Sequence, residues 1–358
     1  MAENIYEKLR ERLDQFSIGF PKTESGVEIK ILKKMFDKED DAKLFLQMTP
    51  MLQEPAAIAE QAGKNLEEVT EQLEEMAKKG LIFRLRRGEK TRFGASAFVI
   101  GSFEFQLKRM DRELAELVEQ YQTEGFHANM GGFQPPLRTV PVHKSVSLDL
   151  HVAPYQDARE IIKSKNKIAL ADCVCRAQQK LIDKGCGKPL KSCMMFGSHA
   201  DYYVENGLGN YVDQQTALKV LDNAEDAGLV VQPASTINPG GLCCCCGDCC
   251  GILRAVNQVP KPADMVLNDY RVAIDSETCI GCETCIDRCQ MTAITMDDDE
   301  IARVDLDRCI GCGLCVTTCP TESIVLELKP ESQRVEPFAN DMELWLDTAK
   351  KRGIDLMG

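Results

Sequence analysis

Two cysteine runs near the carboxyl end of the chain share one spacing. Each follows the pattern C-x2-C-x2-C-x3-C and opens with the segment Cys-Ile-Gly-Cys. The first run consists of Cys279, Cys282, Cys285 and Cys289, and the second of Cys309, Cys312, Cys315 and Cys319. Three thiolates at two-residue gaps can surround one metal centre, while the fourth points toward a neighbouring centre. Zinc prefers two separated C-x2-C pairs in a tetrahedron, so the spacing favours iron–sulfur ligation over zinc.

The repeated runs, with the short apolar segment that follows each, resemble the bacterial two-cluster ferredoxin domain across nearly all of residues 270–329. The resemblance implies two [4Fe–4S] clusters. It assigns one cluster to Cys279, Cys282, Cys285 and Cys319, and the other to Cys309, Cys312, Cys315 and Cys289. One residue departs from the family pattern, because Gln290 stands where proline usually follows the fourth cysteine.

Ten further cysteines lie between Cys173 and Cys250. Disulfide frameworks belong mainly to small secreted domains, whereas cysteine-rich chains of a reducing compartment more often bind metals. Disulfides, a zinc site, or one or two further iron–sulfur clusters are all open interpretations, and we favour the last. The candidate ligands are Cys173, Cys175, Cys186, Cys193, Cys243, Cys245, Cys246, Cys249 and Cys250. Adjacent cysteines cannot all face one cluster, so Cys244 is expected to stand outside it.

The segments that carry these cysteines have a recognisable arrangement. A Cys-Val-Cys-Arg piece at 173–176 and a glycine-bounded cysteine run at 241–251, predicted to be a loop, both precede the ferredoxin-like segment. This order resembles a group of multi-domain iron–sulfur proteins of anaerobic bacteria. Arg176 would offset thiolate charge or hold an anion, or it would lie at the surface without a role.

The amino-terminal part predicts two helices joined by a short turn and followed by a hairpin. Asn65 is a good N-cap for the second helix, and the hairpin strands are expected at 81–86 and 92–100. Together, residues 25–100 resemble a winged helix-turn-helix domain. The resemblance implies either DNA binding or a docking role. The second helix is acidic and the chain carries a formal charge of −13, which disfavours contact with phosphates, so we favour docking to a protein.

The whole chain is predicted to be α+β. We divide it into an N-terminal helix (1–20), a winged-helix-like domain (21–125), a linker (126–142), a cysteine-rich α/β middle domain (143–268), a two-cluster ferredoxin-like domain (269–329) and a tail helix (330–358).

Several kinds of site and location have no support in the sequence. There is no phosphate-binding glycine loop and no dinucleotide fingerprint after a strand, so neither flavin nor NAD is expected on this chain. The sequence contains no apolar run of about 18 residues, so no membrane-spanning helix is predicted. The charged first residues lack the apolar stretch of a signal peptide, which favours the cytoplasm.

Three functional hypotheses follow. The first is an electron-transfer protein or subunit that passes electrons between partner oxidoreductases in anaerobic metabolism, rather than an enzyme that acts alone. The second is a redox-sensing DNA regulator that uses the winged-helix part. The third is a reductase with catalysis at a middle-domain cluster.

Overall fold

Helices and antiparallel sheets build the protein, in agreement with the predicted α+β class. The computed structural model describes residues 4–127, 136–147, 150 and 152–354. These residues form three consecutive units, and buried side chains from all three meet in one continuous hydrophobic core.

The first unit contains a helix–turn–helix followed by a hairpin. Its elements are α1 (Ile5–Asp14), α2 (Val27–Met35), α3 (Glu39–Phe45), α4 (Pro55–Ala62), α5 (Leu66–Lys78), β1 (Ile82–Arg87), β2 (Lys90–Ala95) and α6 (Arg112–Tyr121). Helix α4 ends at Gly63, whose φ of +61° suits a residue without a Cβ. Helix α5 begins after Asn65, whose side chain accepts a hydrogen bond from the Glu67 amide at 2.8 Å.

The last helix of the first unit is preceded by a separate short turn. A 3-10 turn occupies Glu104–Lys108. Asp111 is extended, and its carboxylate accepts a hydrogen bond from the Leu114 amide at 2.8 Å. Asp111 is therefore the N-cap at which α6 starts. The second hairpin strand, expected to reach residue 100, ends at Ala95.

The middle unit is built on a five-stranded sheet in the order β5-β3-β4-β7-β6. Its elements are α7 (Ala158–Lys163), β3 (Ile168–Asp172), α8 (Val174–Leu181), β4 (Lys191–Phe196), α9 (Ser198–Glu205), β5 (Gly209–Val212), α10 (Gln214–Asp226), β6 (Val230–Pro233), β7 (Gly241–Cys245), α11 (Gly251–Gln258) and α12 (Pro262–Met265). Every neighbouring pair in this sheet is antiparallel. The predicted α/β class of this domain was therefore wrong, since that class requires parallel strands joined by helical crossovers.

Part of the predicted linker lies along this sheet. Leu137 forms a bridge with Ala234, and Val140 forms one with Val231, so the chain from 136 to 142 runs beside β6. Positions 128–135 of that linker are outside the described residues.

The third unit contains two small two-stranded sheets. Its elements are β8 (Tyr270–Ile274), α13 (Thr284–Arg288), β9 (Ile294–Met296), β10 (Ala302–Val304) and β11 (Ile324–Leu328), and the tail forms α14 (Asp341–Lys351). β8 pairs with β11 and β9 pairs with β10. Just after α14, Arg352 forms an ion pair with Asp14 at 3.1 Å and donates to the Ser17 carbonyl. The tail thus returns to the first unit.

Across the ranges that the structure describes, no helix combines the length and the apolar character needed to cross a membrane.

Candidate metal centres

The eight cysteines of the two repeated runs gather into two separate groups of four. We call the first group the outer ferredoxin site, and it consists of Cys279, Cys282, Cys285 and Cys319, which line one small cavity. The second group, the inner ferredoxin site, consists of Cys289, Cys309, Cys312 and Cys315, which line another. In each group three thiols come from one run and the fourth comes from the other run. These are the two sets that the resemblance implied.

In the loop of each site, one position lies too close to neighbouring backbone to carry a side chain. A Cβ on Gly311 would lie 2.2 Å from the Tyr270 carbonyl oxygen, and one on Gly281 would lie 2.6 Å from that of Glu300. Both glycines also have positive φ, near +65°. The backbone is thus held where its amides can approach sulfur, and the Ala293 amide lies 3.3 Å from Cys289 Sγ.

The two ferredoxin sites differ strongly in their access to solvent. Ile280 and Ile310 occupy the same place in the two repeats, yet their exposures are 65% and 2%. Cys282 is exposed at the outer site, whereas Cys309 and Cys315 are buried at the inner one. An external partner can therefore approach the outer site directly, while the inner site is enclosed by protein.

The donor set of each site fits an iron–sulfur cluster. Four cysteines without any other type of ligand form a soft set, which suits iron–sulfur clusters. Burial raises the pKa of Cys312 to about 12. A thiol in that environment ionises readily only when a bound metal replaces its proton.

Residues 272–326 match the family of 4Fe-4S dicluster domains. This part of the chain is therefore a 4Fe-4S dicluster domain. Neither the curated proteins nor the solved structures include a match to the chain.

The strand β7 places neighbouring cysteines of the middle unit on opposite faces of the sheet. The run at 241–251, predicted to be a loop, instead begins with this strand and continues through a turn into α11. Side chains alternate across a strand, so Cys243 and Cys245 face one side and Cys244 the other. Cys244 lies in none of the thiol groups described below, and burial raises the pKa of its thiol.

Six thiols of the middle unit form one group, three of them buried and three half-buried, which we call the inner thiol group. It consists of Cys173, Cys175, Cys193, Cys243, Cys245 and Cys250, and each of these thiols neighbours at least one other thiol of the set. Cys193 and Cys243 are direct cross-strand partners on β4 and β7. Helices α8 and α11 begin immediately after Cys173 and Cys250. Their positive amino-terminal ends therefore favour thiolate at this group.

Three other thiols form a second group, which we call the three-thiol site. Cys186, Cys246 and Cys249 have their sulfur atoms within 4.8 Å of one another. The Sγ atoms of Cys186 and Cys246 are 3.7 Å apart. The nine candidate ligands of the middle unit are thus divided six and three.

Arg176 lies between these two groups. It is 4% exposed, donates to the Cys244 carbonyl at 3.1 Å and approaches Cys246 Sγ at 3.8 Å. Burial alone would lower its pKa, but the nearby thiols, with Cys173 foremost, raise it overall. The structure supports charge compensation by this arginine and excludes a surface position.

One acidic residue near the inner thiol group had no signal in the sequence. Glu104 accepts a hydrogen bond from the Gly101 amide at 2.6 Å. Burial raises the pKa of its carboxyl group to about 8, and the Cys243 thiol adds to the increase. Glu104 reaches the thiols because the first unit packs on the second. No local sequence pattern predicts that contact.

The inner ferredoxin site is joined to the middle unit by a hydrogen bond at Gln290. The Gly247 amide donates to Gln290 Oε1 at 2.8 Å. Gly247 directly follows Cys246, and Gln290 directly follows Cys289. Proline, the residue usual at this position in the family, has no side-chain acceptor to offer. Gln290, the residue that departs from the family pattern, is therefore the one whose side chain joins the inner ferredoxin site to the middle unit.

Proposed function

We propose that this protein transfers electrons between partner oxidoreductases through [4Fe–4S] clusters, as an electron-transfer protein or subunit in anaerobic metabolism. The observation that carries the proposal is the pair of four-cysteine sites within the dicluster domain, one open to solvent and one enclosed. A bound [4Fe–4S] cluster accepts and releases single electrons.

The residues around the two ferredoxin sites favour transfer in a defined order. The exposed surface at Ile280 gives a partner protein access to the outer site, while the buried Ile310 excludes water from the inner site. The contact between Gln290 and Gly247 then joins the inner site to the cysteines of the middle unit. Electrons would enter or leave at the outer site and exchange with the middle unit through the inner one.

We also propose that the inner thiol group holds a further iron–sulfur cluster. Three of its six thiols are buried, two of the six cysteines directly precede a helix, and the cation Arg176 lies beside the group. Such surroundings stabilise the negative charge that thiolate ligands bring.

The hairpin of the first unit supports docking to protein rather than to DNA. Arg84 is 2% exposed and forms ion pairs with Glu74 at 2.7 Å and Glu205 at 2.8 Å. Arg86 pairs with the same two carboxylates. These arginines are already neutralised within the protein, so they are poor contacts for phosphate groups. The first unit is therefore proposed as a docking and scaffolding module.

The test is the content of iron and acid-labile sulfide per chain after strictly anaerobic purification, with zinc measured in parallel. Two [4Fe–4S] clusters correspond to about eight iron atoms, and a further cluster raises the count to about twelve. The variant Cys282→Ser should lose iron and the electron paramagnetic resonance signal of one reduced cluster. A wild-type protein that holds no iron would refute the proposal.

A further inference from the structure

We propose that Cys186, Cys246 and Cys249 form a mononuclear zinc site, separate from the iron–sulfur centres, with one coordination position open to water or a small thiol. This inference goes beyond electron transfer, since zinc has no redox role.

The spacing of the sulfur atoms matches a single tetrahedral ion. Zinc–sulfur bonds of about 2.3 Å at tetrahedral angles place two sulfurs about 3.8 Å apart. The Sγ atoms of Cys186 and Cys246 are 3.7 Å apart, and all three Sγ atoms lie within 4.8 Å of one another. A cubane separates its thiolates further, because each one binds a different iron at a corner of the cube.

The local sequence of the site is also typical of a zinc-binding turn. Cys246 and Cys249 are separated by two residues, the commonest spacing of paired zinc ligands. The turn between them is closed by a hydrogen bond from the Cys250 amide to the Cys246 carbonyl at 3.1 Å. Cys186 reaches this turn from the segment before β4, so the third ligand comes from a different part of the fold.

The fourth position is not filled from the part of the chain that the structure describes. Among these residues, no further histidine, cysteine or carboxylate joins the three sulfurs. Asp248 lies within the turn but pairs with Lys188 at 2.6 Å. Cys186 is half-buried, which leaves the site within reach of small molecules. Three protein ligands with one open position are the arrangement of a zinc site that binds an exchangeable ligand.

The charge at this site also suits a bound ion with a small anionic ligand. Three thiolates and one divalent cation leave one negative charge, which the guanidinium of Arg176, 3.8 Å from Cys246 Sγ, offsets. The immediate site is then near neutral, so it can accept either water or a thiolate. Thiolate is the soft ligand that suits a thiolate-rich zinc site.

The test uses the full-length protein, purified anaerobically with zinc in the medium. Metal analysis should find about one zinc per chain in addition to iron. Cys186→Ser and Cys249→Ser should each lose the zinc while keeping iron and sulfide at the wild-type level, which also shows that these variants fold. The control Cys244→Ser should keep both metals.

X-ray absorption at the zinc edge tests whether the fourth coordination position of the ion is open. We expect three sulfur neighbours and one oxygen or nitrogen, with a fourth sulfur after addition of a small thiol. Four sulfurs in the protein alone, no zinc in the wild type, or loss of about four iron atoms in Cys186→Ser would each overturn the proposal. Absence of iron from the wild type would instead overturn the electron-transfer function and leave the zinc result to be judged separately.

Discussion

Replacement of Gln290 by methionine removes the acceptor that joins the inner ferredoxin site to the turn of the three-thiol site. Methionine keeps the length of the side chain but cannot accept the Gly247 hydrogen bond, which is 2.8 Å long. An amide hydrogen bond that is partly shielded from water contributes about 1–2 kcal/mol. Its loss should therefore increase local opening of the turn by about 5- to 30-fold.

Hydrogen exchange at the Gly247 amide is the assay, measured by mass spectrometry on peptides that cover 246–251. Global unfolding should change little, because Arg288 and Arg308 also hold the interface through the carbonyls of Glu225 and Asn257. The rate at which electrons delivered to the ferredoxin sites reach the middle unit should fall in the same variant.

The matched control is Gln290→Glu, which keeps an oxygen acceptor at the same place and should exchange close to the wild-type rate. A second variant, Gly247→Ala, acts from the other side of the contact. Its Cβ would lie 2.6 Å from the Gln290 carbonyl oxygen, about 0.8 Å short of the 3.4 Å of ordinary contact. Unchanged exchange in Gln290→Met, or equal exchange in the methionine and glutamate variants, would refute the reasoning.

Three further outcomes are expected. Glu119→Gln should lower the free energy of unfolding by about 2 kcal/mol in denaturant titration, because Glu119 accepts a charged hydrogen bond from Arg254 at 2.8 Å. Although burial opposes it, that bond holds the pKa of Glu119 to about 2. The contribution is therefore full above about pH 5 and is lost as the pH falls toward 2. Arg84→Met should cost about 2 kcal/mol in the same assay, less than for an isolated buried pair because Arg86 still neutralises both carboxylates. Removal of iron by a chelator should lower the melting temperature measured by circular dichroism, since cluster ligation contributes to folding.

The ferredoxin cysteines were predictable because their pattern is local. The spacing within each run fixes three ligands, and the internal repeat supplies the fourth from the other run. The structure brings together the same two sets of four, and residues 272–326 match the dicluster family. The difference in exposure between Ile280 and Ile310 was not predictable, because it depends on which side of the domain meets the middle unit.

The division of the middle cysteines could not be read from the sequence. Cys173, Cys193 and Cys243 are far apart along the chain and meet only through β3, β4 and β7 of the antiparallel sheet. The exclusion of Cys244 was reasoned from crowding among adjacent residues. The alternation of a strand gives the same answer for a different reason, since this residue faces away from the inner thiol group.

The difference in solvent exposure between the two ferredoxin sites predicts a difference in their sensitivity to oxygen. Oxidants reach sulfur and iron most readily where the site is open, and only the outer of the two ferredoxin sites has its isoleucine 65% exposed. Brief exposure to oxygen should therefore destroy the outer cluster first and leave the enclosed one intact. A molecule damaged in this way would lose the solvent-facing centre while the enclosed one survives, so early oxidation would impair the open site before it unfolds the protein. Repair would then require rebuilding only one centre, at the place where assembly factors can most easily reach it.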